Sequence, residues 1–432
     1  MTVIKMARAY LGLERDSIKA LTAALFGFLL DAYDLLIILS LLPTIQILFF
    51  PELTGVLGLL ATYGTLTITL IFRPLGSSLF GYYTDKIGRQ RILVITVTGF
   101  AIITFLMGLL PTHAQAGVLA PILLYILRAV QGIFIGGEYA AGNPFALEFA
   151  PQNRRGLVSG MLAAAFDAGV LLSSFVVYVL SSTLTGDAFL SYGWRIAFFT
   201  GIIPAALALY IRLTVPESRV WVKMKTQAAV SKRSIREVGP LIVATSLLMA
   251  GFLYTYYSTV GVYTTLVKTY LNYSTAMASL VLTVTNGLLL LTHLGAGYMS
   301  DIIGRRLSLI ILGIISIILT IPTFQFITTI SANYNYLLIT LAITGAIVNS
   351  AYAIHGAYVT ESYSTLLRGF GYGLSYAIGL IIGGFAPMIL ISIGALIGSI
   401  FTAVIINVVI GQLLVVIIAL LRPETKYLAM ER

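Results

Sequence analysis

Gly81-Tyr82-Tyr83-Thr84-Asp85-Lys86-Ile87-Gly88-Arg89-Gln90-Arg91 reads almost the same as Gly297-Tyr298-Met299-Ser300-Asp301-Ile302-Ile303-Gly304-Arg305-Arg306, which begins 216 residues later in a chain of 432. Each stretch is a short polar island between two long apolar runs, which is how a loop joining two membrane helices looks. A pattern that returns after half the chain means one design used twice. Duplicated membrane halves mark transporters built from repeats.

Composition points the same way. With 59% apolar and only 10% charged residues, the chain cannot cover itself with a soluble surface, and it reads as an all-α integral membrane protein. A hydrocarbon core about 30 Å thick needs roughly 20 apolar residues per helix. Such runs recur at 18–41, 54–80, 92–110, 117–149, 157–182, 194–214, 238–267, 274–299, 307–328, 333–360, 369–393 and 395–421, about twelve spans. Barrel strands would alternate over about ten residues, and these runs do not. The first run is a full span without a small-residue cleavage site, so a removable signal is not expected. There are no cysteines, which excludes disulfides, thiolate metal sites and cysteine nucleophiles.

With the N-terminus placed in the cytoplasm, 22 of the 26 Lys and Arg residues fall in cytoplasmic segments. Of the others, Arg195 and Lys268 sit near external helix ends, and Arg73 and Arg128 fall inside spans. Bias of that strength predicts a plasma-membrane protein with both termini cytoplasmic. The net charge of +10 then describes an inner face against anionic lipid and calls for no nucleic-acid partner.

The duplication predicts the domain plan: a cytoplasmic N-terminus (1–17), a six-helix bundle (18–214), a basic cytoplasmic linker containing Pro216 (215–237), a second six-helix bundle (238–421) and a cytoplasmic tail (422–432). Other landmarks recur. Glu148 followed by Arg154-Arg155-Gly156 answers to Glu361 followed by Arg368-Gly369, and Pro216-Glu217-Ser218 answers to Pro423-Glu424-Thr425. Each half holds an even number of spans, so both run in the same direction across the membrane.

On these residues the chain resembles the major facilitator superfamily over essentially its full length. Within it the chain is most similar to the metabolite:proton symporters, through Arg73-Pro74-Leu75-Gly76, Arg128-Ala129-Val130-Gln131-Gly132, Gly136-Gly137-Glu138, Trp194-Arg195-Ile196 and Arg368-Gly369. It also resembles the phosphate:proton symporters through Asp31-Ala32-Tyr33-Asp34, and the sugar porters through the Pro-Glu-Ser and Pro-Glu-Thr stretches. The resemblance implies two pseudo-symmetric six-helix bundles around a central cavity that opens alternately to each side. Two departures stand out. Helix 7 lacks the glutamine pair of the sugar porters, and 157–182 lacks the proline of the drug exporters' helix 5 motif.

The repeated loop has a physical role of its own. Glycines at 81, 88, 297 and 304 permit close approach and tight turns. Asp85 and Asp301 are short anions able to cap a helix N-terminus, and Arg89 and Arg305 are cations able to pair with them. Gly81, Asp85, Gly88, Arg89, Asp301, Gly304 and Arg305 are therefore expected to form a gate that favours closure to the cytoplasm. The alternative is plain topology and helix packing.

Ionisable residues inside spans cost about 2.5–3.5 kcal/mol each on insertion scales and are functional candidates by default. They are Asp31 and Asp34 in helix 1, Arg73 in helix 2, Arg128 and Glu138 in helix 4, and Asp167 in helix 5; the second half offers only His293 and His355. A rise of about 1.5 Å per residue puts Asp31 and Asp34 at a depth comparable to Arg128, and Asp34, one turn from Asp31, could pair with it. The resemblance implies that such a pair is the protonation switch, freeing Arg128, with Gln131 of the same stretch, to hold substrate. A static salt bridge is the alternative. Glu138 and Asp167 form a second possible pair, and two carboxylates together in low dielectric would share a proton. Four buried acids against two buried arginines leave a deficit of fixed cations that protons can fill, so Asp31, Asp34, Glu138 and Asp167 are the proton-coupling candidates. Tyr254, Tyr257 and Asn349 are candidates for lining the cavity and binding substrate, with interfacial anchoring as the alternative for the tyrosines.

No nucleotide loop and no His/Glu cluster at metal spacing occurs, so no enzymatic activity, catalytic residue, metal or cofactor is expected beyond the proton gradient. The sequence predicts a monomeric, proton-driven importer of a small organic anion such as a mono- or dicarboxylate. Phosphate:proton symport is the runner-up and sugar:proton symport the third reading. A non-transporting ligand sensor is the alternative from another class.

Overall fold

The computed structural model describes residues 15–87, 89–148, 150–184, 186–214, 235–364 and 368–428. Most of the expected linker lies outside them. Helix α1 is Arg15–Phe49, α2 Gly55–Ile87, α3 Arg89–Gly108, α4 Leu119–Glu148 and α5 Arg155–Thr183. Helix α6 comes in two pieces, Trp194–Phe199 and Ile202–Thr214. Then come α7 Ile235–Ser258, α8 Thr275–Ile303, α9 Arg305–Gln325 and α10 Tyr334–Val348, which continues through a 3-10 turn into His355–Ser362. Helix α11 is Arg368–Gly384 followed by Ala386–Ile397, and α12 is Ile400–Leu421. No strand occurs among the described residues, as a chain that must satisfy its backbone inside lipid requires of anything but a closed barrel.

Ten helical stretches are long and apolar enough to cross a membrane, and Val94–Gly108 is a shorter apolar helix. The two expected spans missing from the ten are α3, whose first turn carries Arg89 and Arg91, and α6, broken near Thr200 and Gly201. The outward surface is apolar: Leu291 is 65% exposed and Ile318 64%, a surface that suits acyl chains and not water.

Glycines set the closest helix contacts. A Cβ at Gly132 or Gly136 of α4 would strike the carbonyls of Thr69 or Arg73 on α2, and one at Gly379 or Gly383 of α11 would strike Met249 or Leu253 on α7. Small residues four apart let backbones approach where lipid supplies no hydrophobic drive. The halves meet along α5 with α8 and along α2 with α11, two crossings related by the internal repeat. At one end lie the start of α1, the α4–α5 connection, the second copy of the repeated loop and the C-terminal tail. We call this end the basic face.

Candidate functional site

Between the halves lies a cavity of about 20 Å³, about the room one water molecule needs. Arg73 of α2 and Phe166 and Asp167 of α5 form its wall on the first half. Tyr256 and Tyr257 of α7, His293 of α8, Asn349, Tyr352, and Tyr376 of α11 face them from the second. Two helices break beside it. Helix α7 stops at Ser258 before a 3-10 turn at Val260–Val262, and α10 stops at Val348 before the turn Ser350–Ile354. Side chains bond at and across the two breaks. Gln412 Nε2 donates to the Val348 carbonyl at 2.9 Å, and Asn349 Nδ2 donates to Thr259 Oγ1 at 3.0 Å and to the Gly345 carbonyl at 2.8 Å. Irregular backbone at membrane depth is tolerated only where protein buries it or a cavity opens, and in repeat transporters such breaks form the binding site.

Asp167 and His293 meet here. The Asp167 Oδ2 and His293 Nδ1 atoms are hydrogen-bonded, and His293 Nε2 lies 3.1 Å from the Asn349 carbonyl. The sequence expectation paired Asp167 with Glu138. Asp167 bonds His293, because α5 runs along α8 of the opposite half. The Glu138 side chain lies outside the described residues.

Arg128, fully buried on α4, donates from Nε to the Thr65 carbonyl at 3.0 Å and from Nη1 to Gln131 Oε1 at 2.7 Å; Gln131 Nε2 in turn donates to Thr104 Oγ1 at 2.8 Å. Its Nη2 has no hydrogen-bond partner. The expected partnership with Asp34 falls on a side chain outside the described residues. Asp31 is buried on α1. Arg73 and Tyr257, both in the cavity wall, are electrostatic neighbours of Arg128. Tyr257 and Asn349 line the cavity and Tyr254 does not, since its hydroxyl donates to Asn407 of α12, a buried amide that needs a partner.

The cavity is closed at both ends. On the face away from the termini, Tyr63 of α2 bonds Thr265 Oγ1 at 2.9 Å, Thr264 bonds the Leu39 carbonyl at 2.6 Å and Thr67 the Gly384 carbonyl at 2.8 Å. At the basic face, the Asp301 carboxylate accepts the Gly156 and Leu157 amides at 2.8 Å each. Those amides belong to the first turn of α5, so one half supplies a helix cap to the other. Arg305 Nη1 donates to Asp301 at 2.7 Å and Arg305 Nη2 to Glu361 at 3.3 Å; Thr425 Oγ1 donates to Glu361 at 2.8 Å. Glu424 accepts the first amides of α9, from Arg305 and Arg306, at 2.9 and 3.0 Å. Gly304, at φ 100°, turns the chain between α8 and α9. The structure thus joins Asp301, Gly304 and Arg305 in one network. Of the first copy, Gly81 lies within α2, whereas Gly88 and the side chains of Asp85 and Arg89 lie outside the described residues.

Sequence reasoning noted Glu361, Glu424 and His293 but gave them no partners. Repetition flagged the first two, and nothing local could pair the third. Ser159, which donates to the Ala353 carbonyl at 2.5 Å across the halves, carried no sequence signal.

Two duplicated helical bundles around a cavity sealed at both ends define a membrane transporter. A family profile described as "Sugar (and other) transporter" matches residues 19–245, and one described as "Major Facilitator Superfamily" matches 246–429. The shikimate transporter of Escherichia coli (strain K12) is 30% identical over 389 residues, 86% of each chain. The alpha-ketoglutarate permease of the same organism is 29% identical, covering 88% of each chain, and its proline/betaine transporter is 29% identical, covering 85% of this chain and 76% of that one. A crystal structure of a D-xylose-proton symporter shares the fold, with a TM-score of 0.75 at 22% identity over 94% of this chain and 98% of that one. The chain belongs to the major facilitator superfamily. It is a transporter, not an enzyme.

Proposed function

We propose that the protein imports a small organic anion together with protons, by alternating access, across the plasma membrane. In this reading both termini are cytoplasmic, and bundles 18–214 and 238–421 rock about the cavity as a monomer. The proton gradient is the only driving cofactor. One observation carries the anion: Arg128 is buried, its bonded partners Thr65 and Gln131 are neutral, and Nη2 is left over. A guanidinium with donors to spare is suited to grip a carboxylate through paired bonds. The names of the relatives, shikimate, alpha-ketoglutarate and proline/betaine transporters, are of compounds that share a carboxylate. Asp31, Asp34, Glu138 and Asp167 remain the candidate proton carriers.

The aromatic wall of Phe166, Tyr256, Tyr257, Tyr352 and Tyr376 favours a second reading. Ring faces attract cations, so a zwitterion with a carboxylate and an ammonium group also fits.

Uptake by proteoliposomes with an inside-alkaline gradient, offered labelled shikimate, 2-oxoglutarate, glycine betaine, phosphate and xylose, tests both. A carboxylate is expected to accumulate above the gradient-free control. Arg128→Ala is expected to slow it at least tenfold, since a charged hydrogen bond contributes about 1.5–3 kcal/mol. Accumulation of phosphate or xylose alone, or normal carboxylate uptake by Arg128→Ala, would sink the anion reading. Uptake indifferent to the gradient would sink the coupling.

A further inference from the structure

We propose that Asp167 and His293 together form the proton-binding site of the carrier, a site that exists only while the two halves are closed around it; the proposal rests on the reading of the protein as proton-driven. The reasoning starts at Asn349. Its carbonyl can only accept, so His293 Nε2, 3.1 Å away, carries a hydrogen and donates it. A neutral ring protonated at Nε2 has a lone pair on Nδ1, and that lone pair would face another on the Asp167 carboxylate. The two atoms are nevertheless hydrogen-bonded. A proton therefore lies between them, on Nδ1 or on Oδ2. In either case the closed pair holds one proton more than a neutral imidazole and an ionised carboxylate held apart.

The surroundings isolate that proton. The two side chains are 1% and 2% exposed. Among the described residues, Arg73 of α2, Tyr256 and Tyr257 of α7, Tyr352 and His355 of the tenth span and Tyr376 of α11 are the titratable groups around the pair, and Asp31 is buried on α1, which packs against α5; the side chains of Asp34 on α1 and Glu138 on α4 lie outside the described residues.

Geometry links the proton to movement. Asp167 belongs to the first half and His293 to the second, and the α5–α8 contact between them and the basic face runs over Gly156, Gly160 and Gly297. Parting α5 from α8 at that face separates the pair. Opening admits water, which hydrates the carboxylate and the imidazole separately, so neither group any longer has the other to hold the shared proton. The proton then leaves Nδ1 or Oδ2 for water on the opened side, and a neutral imidazole and a carboxylate remain. Release is thus tied to opening, and rebinding to closure.

The chain has no cysteine, so a Gln152→Cys, Leu307→Cys pair can carry two spin labels on opposite halves at the basic face. Both native residues are exposed. In lipid nanodiscs without substrate, pulsed electron resonance across the histidine range of about pH 5 to 8 is expected to give a short distance at acidic pH, with a longer population growing as pH rises. Asp167→Asn and His293→Asn are each expected to flatten that profile, and Asp167→Glu, which keeps the carboxylate, to restore it. A flat profile in the labelled parent, or an unchanged one in Asp167→Asn, would overturn the proposal. Because no substrate or gradient is used, that failure is separate from a failure of proton-driven uptake.

Discussion

At the residue scale, Glu361 and Glu424 look equivalent in composition and differ in environment. The Glu361 side chain is fully buried against Arg305 and accepts from Thr425, whereas Glu424 caps the start of α9 nearer the surface. Breaking a fully buried ion pair costs about 3–5 kcal/mol, and although Arg305 keeps Asp301, Glu361→Gln takes away one of its two carboxylates in the buried network; losing a cap costs about 0.5–2 kcal/mol. Glu361→Gln is therefore expected to lower the melting temperature in detergent more than Glu424→Gln, as followed by differential scanning fluorimetry. Equal losses would show that the buried network contributes no more than a cap. Repetition made Asp301 and Arg305 legible from the sequence. The partner of Asp167 was not, because it lies 126 positions away.

At the element scale, the long apolar runs translated directly into helices, and the breaks at Ser258 and Val348 did not. The sequence expectation ran 238–267 and 333–360 through as continuous spans. No proline marks either break. They persist because Gln412 of α12 satisfies the Val348 carbonyl and Asn349, at one break, bonds the Thr259 hydroxyl at the other. Glycines at the α5–α8 crossing carry the next expectation. A side chain at Gly297 would meet the Gly156 carbonyl, whereas Gly295 has open space around it. Gly297→Val is expected to open the basic face by about 1–3 kcal/mol of overpacking, seen as a larger long-distance population with the Gln152→Cys, Leu307→Cys labels. Gly295→Val is expected to leave it unchanged. If the two variants behave alike, helix contact at Gly297 does not hold that face closed.

At the scale of the whole molecule, orientation remains a matter of charge. Glu52 and Asn335 lie on the face away from the termini and are exposed, as is Gln152 at the basic face. In intact cells, a membrane-impermeant maleimide is expected to label Glu52→Cys and Asn335→Cys and to reach Gln152→Cys only after permeabilisation. The reverse pattern would invert the topology and move the gate to the outside.

The sequence by itself determined the helical class and the family, and it predicted the twofold plan and showed the repeated polar loop. Each of these is written in local hydropathy or in a motif that repeats, and local patterns need no knowledge of what lies opposite. Tertiary structure alone decided that Asp167 meets His293 of the other half, that Arg128 rests on Thr65 and Gln131, and that Asp301 caps a helix of the other half. Those pairings depend on which faces of distant helices are pressed together, and close glycine contacts bring the faces into register.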